Sequence, residues 1–281
     1  MAKRDQLIEI FQDTEAWYQE NPVLAEAVRK SIAGTVLYPA AEYPAIRPAK
    51  DGVKTEVTVT KARSFEAAVR LLRDNPGKKA AVHNFASATN PGGGVTLGSG
   101  AQEECLCRCS TLYPVLNTQK LWEGYYSFHR KRHDVRYTDA CIYSPDIVII
   151  KSDTPTPMRL PENAWRTVDV ITCAAPNLRP RPNNPMNPGQ DKAVQVSDAE
   201  LLELHRSRAR HMLAVAAAHG ADILVLGAFG CGAFRNKPEI VAQAYREILP
   251  EFAGVFSKIE FAVYCSSRDR GNYDAFCQAL G

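Results

Sequence analysis

The chain has no apolar run long enough to cross a bilayer. Its most apolar stretch, Met212 to Leu226, is broken by His219, Gly220 and Asp222, short of the roughly 20 residues a membrane helix needs. No secretory leader is visible either. Met1-Ala2-Lys3-Arg4-Asp5-Gln6 leads into an amphipathic pattern and not into an unbroken apolar segment. The two absences together predict a cytoplasmic protein with no membrane partner. Charge of one sign is scarce: 34 Lys and Arg stand against 31 Asp and Glu, a formal +3. So small an excess favours an anionic ligand slightly and gives no reason to expect specific nucleic acid binding. Neither a P-loop ending in Gly-Lys-Ser/Thr nor a dinucleotide glycine fingerprint occurs, which excludes two common phosphate cradles. No repeat or domain boundary interrupts the chain.

The eight cysteines do not make a disulfide or zinc framework. Most fall inside apparent strands or helices, where buried free thiols are the default in a reducing compartment. Cys105, Cys107 and Cys109 lack a second Cys or His cluster at zinc spacing, and on a helix only Cys105 and Cys109 share a face. No metal is expected. His129 and His133 have the i,i+4 spacing of metal ligands but no further ligands near them, and are read as surface residues. They flank a basic run, Arg130-Lys131-Arg132, at the end of a helix through Leu121, Tyr125 and Phe128. That run reads as complementing the helix dipole on a solvated face, with a grip on polymer phosphates as the alternative.

What is present is an alternation of strands and helices. With 45% hydrophobic residues over 281 positions, the chain can fill a large core. Residues 5–32 carry helical periodicity through Leu7, Ile10, Phe11, Trp17, Leu24 and Val28, and Pro22 divides them. Val57-Thr58-Val59 reads as a strand, and Ser64 as the N-cap of a helix continuing through Ala67 to Leu72. Further strands are expected at Ala80–Ala86, Ile147–Ile150, Val168–Thr172, Ile223–Leu226 and Phe261–Tyr264. Ser197 and Glu200 form a capping box for a long helix through Leu201, Leu204, Met212 and Val215, and another helix runs from Glu239 to Leu249. The alternation predicts an α/β sandwich with helices on both faces of one sheet.

Two glycine-rich loops follow expected strands. Asn90-Pro91-Gly92-Gly93-Gly94 lies beyond the Ala80–Ala86 strand, where open α/β sheets collect ligands. Seven residues later, Gln102-Glu103-Glu104 opens a helix, whose first turn favours anions. Gly227-Ala228-Phe229-Gly230-Cys231-Gly232-Ala233-Phe234 follows the Ile223 strand, and its alternating glycines would offer backbone N–H groups to a diphosphate. A tight structural turn is the plainer reading of the Gly227 loop. Neighbouring helical positions diverge by about 100°, so Glu103 and Glu104 cannot be an opposed glycosidase pair. One should react while the other positions, unless both are merely first-turn acids. Asn90 and Asn84 carry amides able to bond ribose hydroxyls or to stabilise the turn.

The glycine triplet, the seven-residue gap and the Gln-Glu-Glu run resemble the signature of the microbial-type poly(ADP-ribose) glycohydrolases, which are divergent macrodomains. Ile142-Tyr143-Ser144-Pro145, Val170-Ile171-Thr172-Cys173-Ala174-Ala175-Pro176-Asn177 and Gly227 to Phe234 look like family segments in family order, over roughly residues 5 to 276. The resemblance implies a three-layer α/β/α macrodomain-like sandwich with a mixed sheet. Residues 51–281 would be the catalytic domain, and residues 1–50 a helical extension packed on it. It also implies that Glu104 protonates the departing oxygen and then activates water, that Glu103 orients ribose hydroxyls, and that Gln102 belongs to the ligand site. Gly92, Gly93, Gly94 and the segment Gly227, Phe229, Gly230, Cys231, Gly232, Ala233, Phe234 would hold the diphosphate, with Phe234 packing near the distal ribose. One departure stands out: Ser87 matches a position where human-like glycohydrolases have asparagine, so the sugar contact there is rearranged.

The expected activity is exo-hydrolysis of ribose–ribose bonds in poly(ADP-ribose), releasing ADP-ribose, by a monomer without a cofactor. The alternatives are removal of a single ADP-ribose from a modified macromolecule, a non-catalytic ADP-ribose reader, and nucleic acid binding through residues 129–136. A proline-rich loop from Ala175 to Gln190, containing Pro176, Pro180, Pro182, Pro185 and Pro188, is expected to cover the adenosine half or the polymer exit, with Arg179 and Arg181 available for phosphate. A disordered surface insertion is the other reading of it.

Overall fold

A computed structural model describes residues 3–46, 48–49, 52–184, 192–266 and 269–281. Its strands are β1 (Val36–Tyr38), β2 (Glu56–Thr60), β3 (Ala80–Phe85), β4 (Cys141–Ile149), β5 (Arg166–Cys173), β6 (Ile223–Leu226) and β7 (Lys258–Ala262). They form one mixed sheet in the order β1-β4-β5-β3-β6-β7-β2. The pairs β5–β3, β3–β6, β6–β7 and β7–β2 are parallel, whereas β4 runs antiparallel to both β1 and β5.

The two-residue period of a strand divides the core between the sheet's faces. Ala81, Ile171, Leu224 and Phe261 pack on one face with α8 (Asp198–Ala218) and α9 (Pro238–Ile248). Val82, Val170, Val225 and Ala262 pack on the other with α3 (Ser64–Asp74), α4 (Gln102–Cys109) and α5 (Leu112–Leu116). This is the expected three-layer α/β/α arrangement. The short α6 (Gln119–Leu121) runs through a π turn, Trp122–Tyr126, into α7 (Ser127–Arg132), and α10 (Gly271–Leu280) closes the chain.

Pro22 starts a helix as well as ending one. α1 (Lys3–Glu20) stops before Asn21, whose side-chain oxygen accepts from the amides of Val23 and Leu24 and caps α2 (Pro22–Gly34). Beyond α2, residues 36–38 add β1 to the edge of the sheet, so the segment expected to be a helical extension also contributes a strand. Ser197 caps α8 as expected, its hydroxyl accepting from the Glu200 amide at 3.2 Å. At α3 the capping differs from the sequence reading. Ser64 is the first helical residue, and the orphan amides are met by carboxylates instead: Glu66 accepts from Arg63 N at 3.1 Å and Asp153 from Phe65 N at 3.1 Å.

Candidate active site

Residues following β2, β3, β5, β6 and β7 converge on a cleft of about 630 Å³. Its walls come from Ala62–Ser64, Phe85–Ser87, Gly93–Gly94, Ser99–Cys105, Ala175, Ala228–Gly230, Gly232–Phe234 and Ala262–Tyr264, with Asp153, Arg179 and Asn272. This is the carboxyl edge of the parallel strands, where open α/β sheets bind ligands.

The glycine triplet turns the chain so that α4 enters with its acids facing that cleft. Gly92 and Gly93 have φ of +67° and +57°, a region that other residues enter only with strain, and Gly93 N donates to Asn90 O at 3.0 Å. The Gln102 side chain ties the start of α4 to β3. It donates to His83 O at 2.7 Å and Ser64 Oγ at 3.0 Å, and accepts from Phe85 N at 2.9 Å. The next two residues are nearly buried, Glu103 at 3% and Glu104 at 7% exposure, yet their surroundings differ. Glu103 is engaged at both oxygens, Oε2 by Ser87 N at 2.7 Å and Oε1 by Asn84 Nδ2 at 3.3 Å. Glu104 Oε1 accepts from Gly94 N at 2.9 Å, while its Oε2 is buried with no partner among the described residues.

Burial drives the Glu103 carboxyl well above the usual carboxylate range, and the charge of Glu104 beside it adds to the rise. The amide of Ser87 and the side chain of Asn84 act the other way and do not overcome it. Beneath the cleft, burial holds the His83 imidazole neutral by lowering its pKa to about 3. Its ring sits 4.4 Å from Phe229 and 4.9 Å from Phe85, building an aromatic floor.

Across from α4, the Gly227–Phe234 loop folds back on its own carbonyls. Phe229 N donates to Gly227 O, Cys231 N to Ala228 O and Arg235 N to Gly232 O. The amides of Gly230, Gly232, Ala233 and Phe234 have no acceptor among the described residues, and all four residues line the cleft. Such a concavity of unspent N–H groups suits a diphosphate. At the far end, the Arg63 guanidinium lies 4.3 Å from the Tyr264 ring centroid, with Asp153, Cys105 and Asn272 around it.

The structure therefore brings Gly93, Gly94, Gln102, Glu103, Glu104, Phe229, Gly230, Gly232, Ala233 and Phe234 to the cleft wall. Asn84, Asn90, Gly92, Gly227 and Cys231 are not among the residues that line it. Asn84 is fully buried and braces Glu103, and Asn90 donates to Gly93 O, bracing the turn. Reading His129 as a surface residue is corrected: it is 1% exposed, because its ring is taken up between Tyr125 O, on Nδ1, and Thr138 Oγ1, on Nε2. Arg130, from the basic run, donates to Thr89 O at 2.7 Å and stacks on Trp122. Arg179 does line the cleft, whereas residues 185–191 of the proline-rich loop, including Pro185, Pro188 and Gln190, lie outside the described residues. Among the described residues no group of three His, Cys, Asp or Glu side chains is placed to hold a metal, and no helix is long and apolar enough to cross a membrane.

Sheet order, amide-lined loop and paired glutamates define a macrodomain-like fold with an acid-bearing cleft. The microbial-type PARG catalytic domain, PARG being poly(ADP-ribose) glycohydrolase, matches residues 6–152 as a family model. The crystal structure of the poly(ADP-ribose) glycohydrolase from Thermomonospora curvata is 32% identical, with a TM-score of 0.83 over 98% of this chain and 99% of that one. The same enzyme bound to the inhibitor ADP-HPD matches at 33% identity and a TM-score of 0.77 over 97% and 98%. The Deinococcus radiodurans poly(ADP-ribose) glycohydrolase in complex with ADP-ribose is 37% identical, with a TM-score of 0.74 over 90% and 96%. Comparison with curated proteins gives no match. The chain belongs to the microbial-type poly(ADP-ribose) glycohydrolase family, a family of glycosidases.

Proposed function

We propose that the protein hydrolyses the ribose–ribose O-glycosidic bond of poly(ADP-ribose) from the chain end, releasing ADP-ribose, with residues 51–281 as the catalytic unit and 1–50 packed on it. The observation that carries the assignment of roles is the asymmetry of the two glutamates. Glu103 has both oxygens engaged by Ser87 and Asn84, whereas Glu104, which also lines the cleft, has one oxygen fixed by Gly94 N and the other buried without a hydrogen-bond partner among the described residues. Glu104 is the group free to meet a substrate.

In this reading the diphosphate rests on the amides of Gly230, Gly232, Ala233 and Phe234, which fixes the distal ribose against Glu104. The Glu104 carboxyl gives its proton to the departing ribose oxygen as the C1–O bond breaks through an oxocarbenium-like state. Water then adds to C1, and the proton it loses returns to the Glu104 carboxylate. Glu103, kept in place by Asn84 and Ser87, orients the ribose hydroxyls. The adenine lies toward Tyr264 and Arg63, whose stacked faces suit a flat base. A monomer in the cytoplasm, its eight cysteines free, fits this reading.

Labelled polymer and a mono-ADP-ribosylated protein, each incubated with wild type and Glu104→Gln, test it. Wild type should shorten the polymer, and the variant should lose about 10³-fold in rate, within the range of a general acid, while still binding ADP-ribose. Equal turnover by both proteins removes Glu104 from its role. Turnover of the modified protein without loss of polymer would favour the single-ADP-ribose hydrolase.

A further inference from the structure

The amide cradle depends on a residue that does not face the cleft. Asn236 is 2% exposed and lies just past the loop. Its Nδ2 approaches three carbonyls, Pro176 O at 2.7 Å, Gly230 O at 3.1 Å and Phe234 O at 3.3 Å. Its backbone N also donates to Gly230 O at 3.1 Å. One side chain thus stitches the loop after β6 to the segment after β5, gripping it at Gly230 and Phe234, on either side of the free amides of Gly232 and Ala233. The fit is close: a methyl on Gly230 would stand 2.8 Å from Asn236 Nδ2 and 2.5 Å from Ala175 Cβ.

The Asn236 amide is itself oriented from beneath. Three carbonyls on one side of it accept only, so the nitrogen must face them and Oδ1 must face His205 Nε2, 2.8 Å away. His205, fully enclosed in α8, therefore donates through Nε2. Burial keeps it neutral by lowering its pKa to about 3, and its ring meets Phe229 edge-on at 5.6 Å. A ring that can be only one tautomer fixes an amide that can take only one orientation.

We infer that Asn236, held by His205, is a positioning residue that preorganises the Gly230–Phe234 amides for the substrate diphosphate. The inference rests on the functional reading above, and adds to it residues that touch no ligand. Preorganised donors bind a phosphate without the cost of ordering the loop at the moment of binding.

Calorimetric titration of ADP-ribose into wild type, Asn236→Ala, His205→Leu and His205→Gln tests it, alongside polymer kinetics. Asn236→Ala and His205→Leu should weaken ADP-ribose binding at least about tenfold and raise KM for polymer in step, with kcat within about threefold. His205→Gln, which can still donate to Asn236 Oδ1, should restore affinity to within about threefold. His205→Leu keeps an apolar side chain of fitting size, so it remains a folded probe if Asn236→Ala does not. A lower Tm with unchanged ADP-ribose affinity in His205→Leu would overturn the inference, leaving His205 and Asn236 as core residues only. Wild type that fails to bind ADP-ribose would sink the functional reading and this inference with it.

Discussion

Two buried carboxylate sites lie at opposite ends of the same strands, and they are solved in opposite ways. Near the amino end of β3, Asp169 is 1% exposed and surrounded by partners. Lys79 Nζ is 2.8 Å away, the Tyr143 hydroxyl donates at 2.6 Å and Asp146 N at 3.2 Å. Tyr143 in turn lies flat on His219, with ring centroids 3.4 Å apart. At the carboxyl end, Glu103 and Glu104 are nearly as buried, side by side, and neither forms an ion pair with a described residue. A charge kept inside for the fold is neutralised where it stands. Burial, with the neighbouring Glu104 charge and no cation to offset it, holds Glu103 well above the usual carboxylate range, and acids displaced in this way cluster at functional sites.

The contrast breaks most visibly if space is removed from the acid pair. A methyl on Gly93 would stand 2.5 Å from Glu104 Oε1 and 3.1 Å from Glu103 Oε2, on a backbone at φ +57°. Gly93→Ala should therefore displace the Glu104 carboxyl and lower kcat on polymer about 10²-fold, the usual penalty for an ångström of misplacement. Single-turnover kinetics read that loss apart from product release. A rate within threefold of wild type would mean that Glu104 is not held where the mechanism needs it.

A second substitution works at the other end. Lys79→Met leaves Asp169 buried with hydrogen bonds but no cation. Breaking a fully buried pair typically costs about 3–5 kcal/mol. Lys79 is 43% exposed, so solvent already screens the pair and about 1–2 kcal/mol is expected. Urea melts should show the lower midpoint while kcat and KM stay within twofold of wild type. If activity fell as far as in Gly93→Ala, the two ends would not be separate in purpose and the comparison would fail.

What the sequence made legible follows the same division between local and distant. Glu103, Glu104 and the two glycine loops are contiguous in the chain, so their chemistry shows in spacing alone. The long strands and α8 also announce themselves through apolar runs and the Ser197 cap. β1 does not, because three residues, Val36 to Tyr38, are too few to carry a period. Arg63, Asp153, Tyr264 and Asn272 come from four separate segments and share a wall only after folding. The Asn236–His205 pair spans 31 positions and was equally invisible. Asn90 and Asn84 were legible as amides able to bond ribose or to stabilise the turn; Asn90 does brace the turn at Gly93, while the contact of Asn84 with Glu103 joins residues 19 apart and shows only after folding. His129 was read as a surface residue because no further ligands stand near it in the chain, and its contacts with Tyr125 O and Thr138 Oγ1 bury it only in the folded protein.

The smallest expected effect sharpens the comparison through pH. Glu103's pKa is raised from 4.5 by burial and by Glu104, so the folded protein keeps a proton that the unfolded chain releases. The sign follows directly: this carboxyl's favourable contribution is complete below about pH 4.5 and is lost as pH rises through the raised value. Each unit of that rise is worth about 1.4 kcal/mol. Glu103→Gln removes the titration and keeps an oxygen for Ser87 N. Asn84 Oδ1 is buried without a partner, and turning that amide over would let it accept from the new side-chain nitrogen. The variant should then match wild type near pH 4.5 and gain on it toward pH 8, by about 1 kcal/mol or 2–4 °C in Tm once the weaker hydrogen bond to Ser87 is allowed for. Asp169→Asn, by contrast, removes the partner of Lys79 and an acceptor for Tyr143, and should lower Tm at about pH 7. Parallel melting curves for wild type and Glu103→Gln across that range would show that the acid pair is as well accommodated as Asp169, and that its burial stores nothing for catalysis.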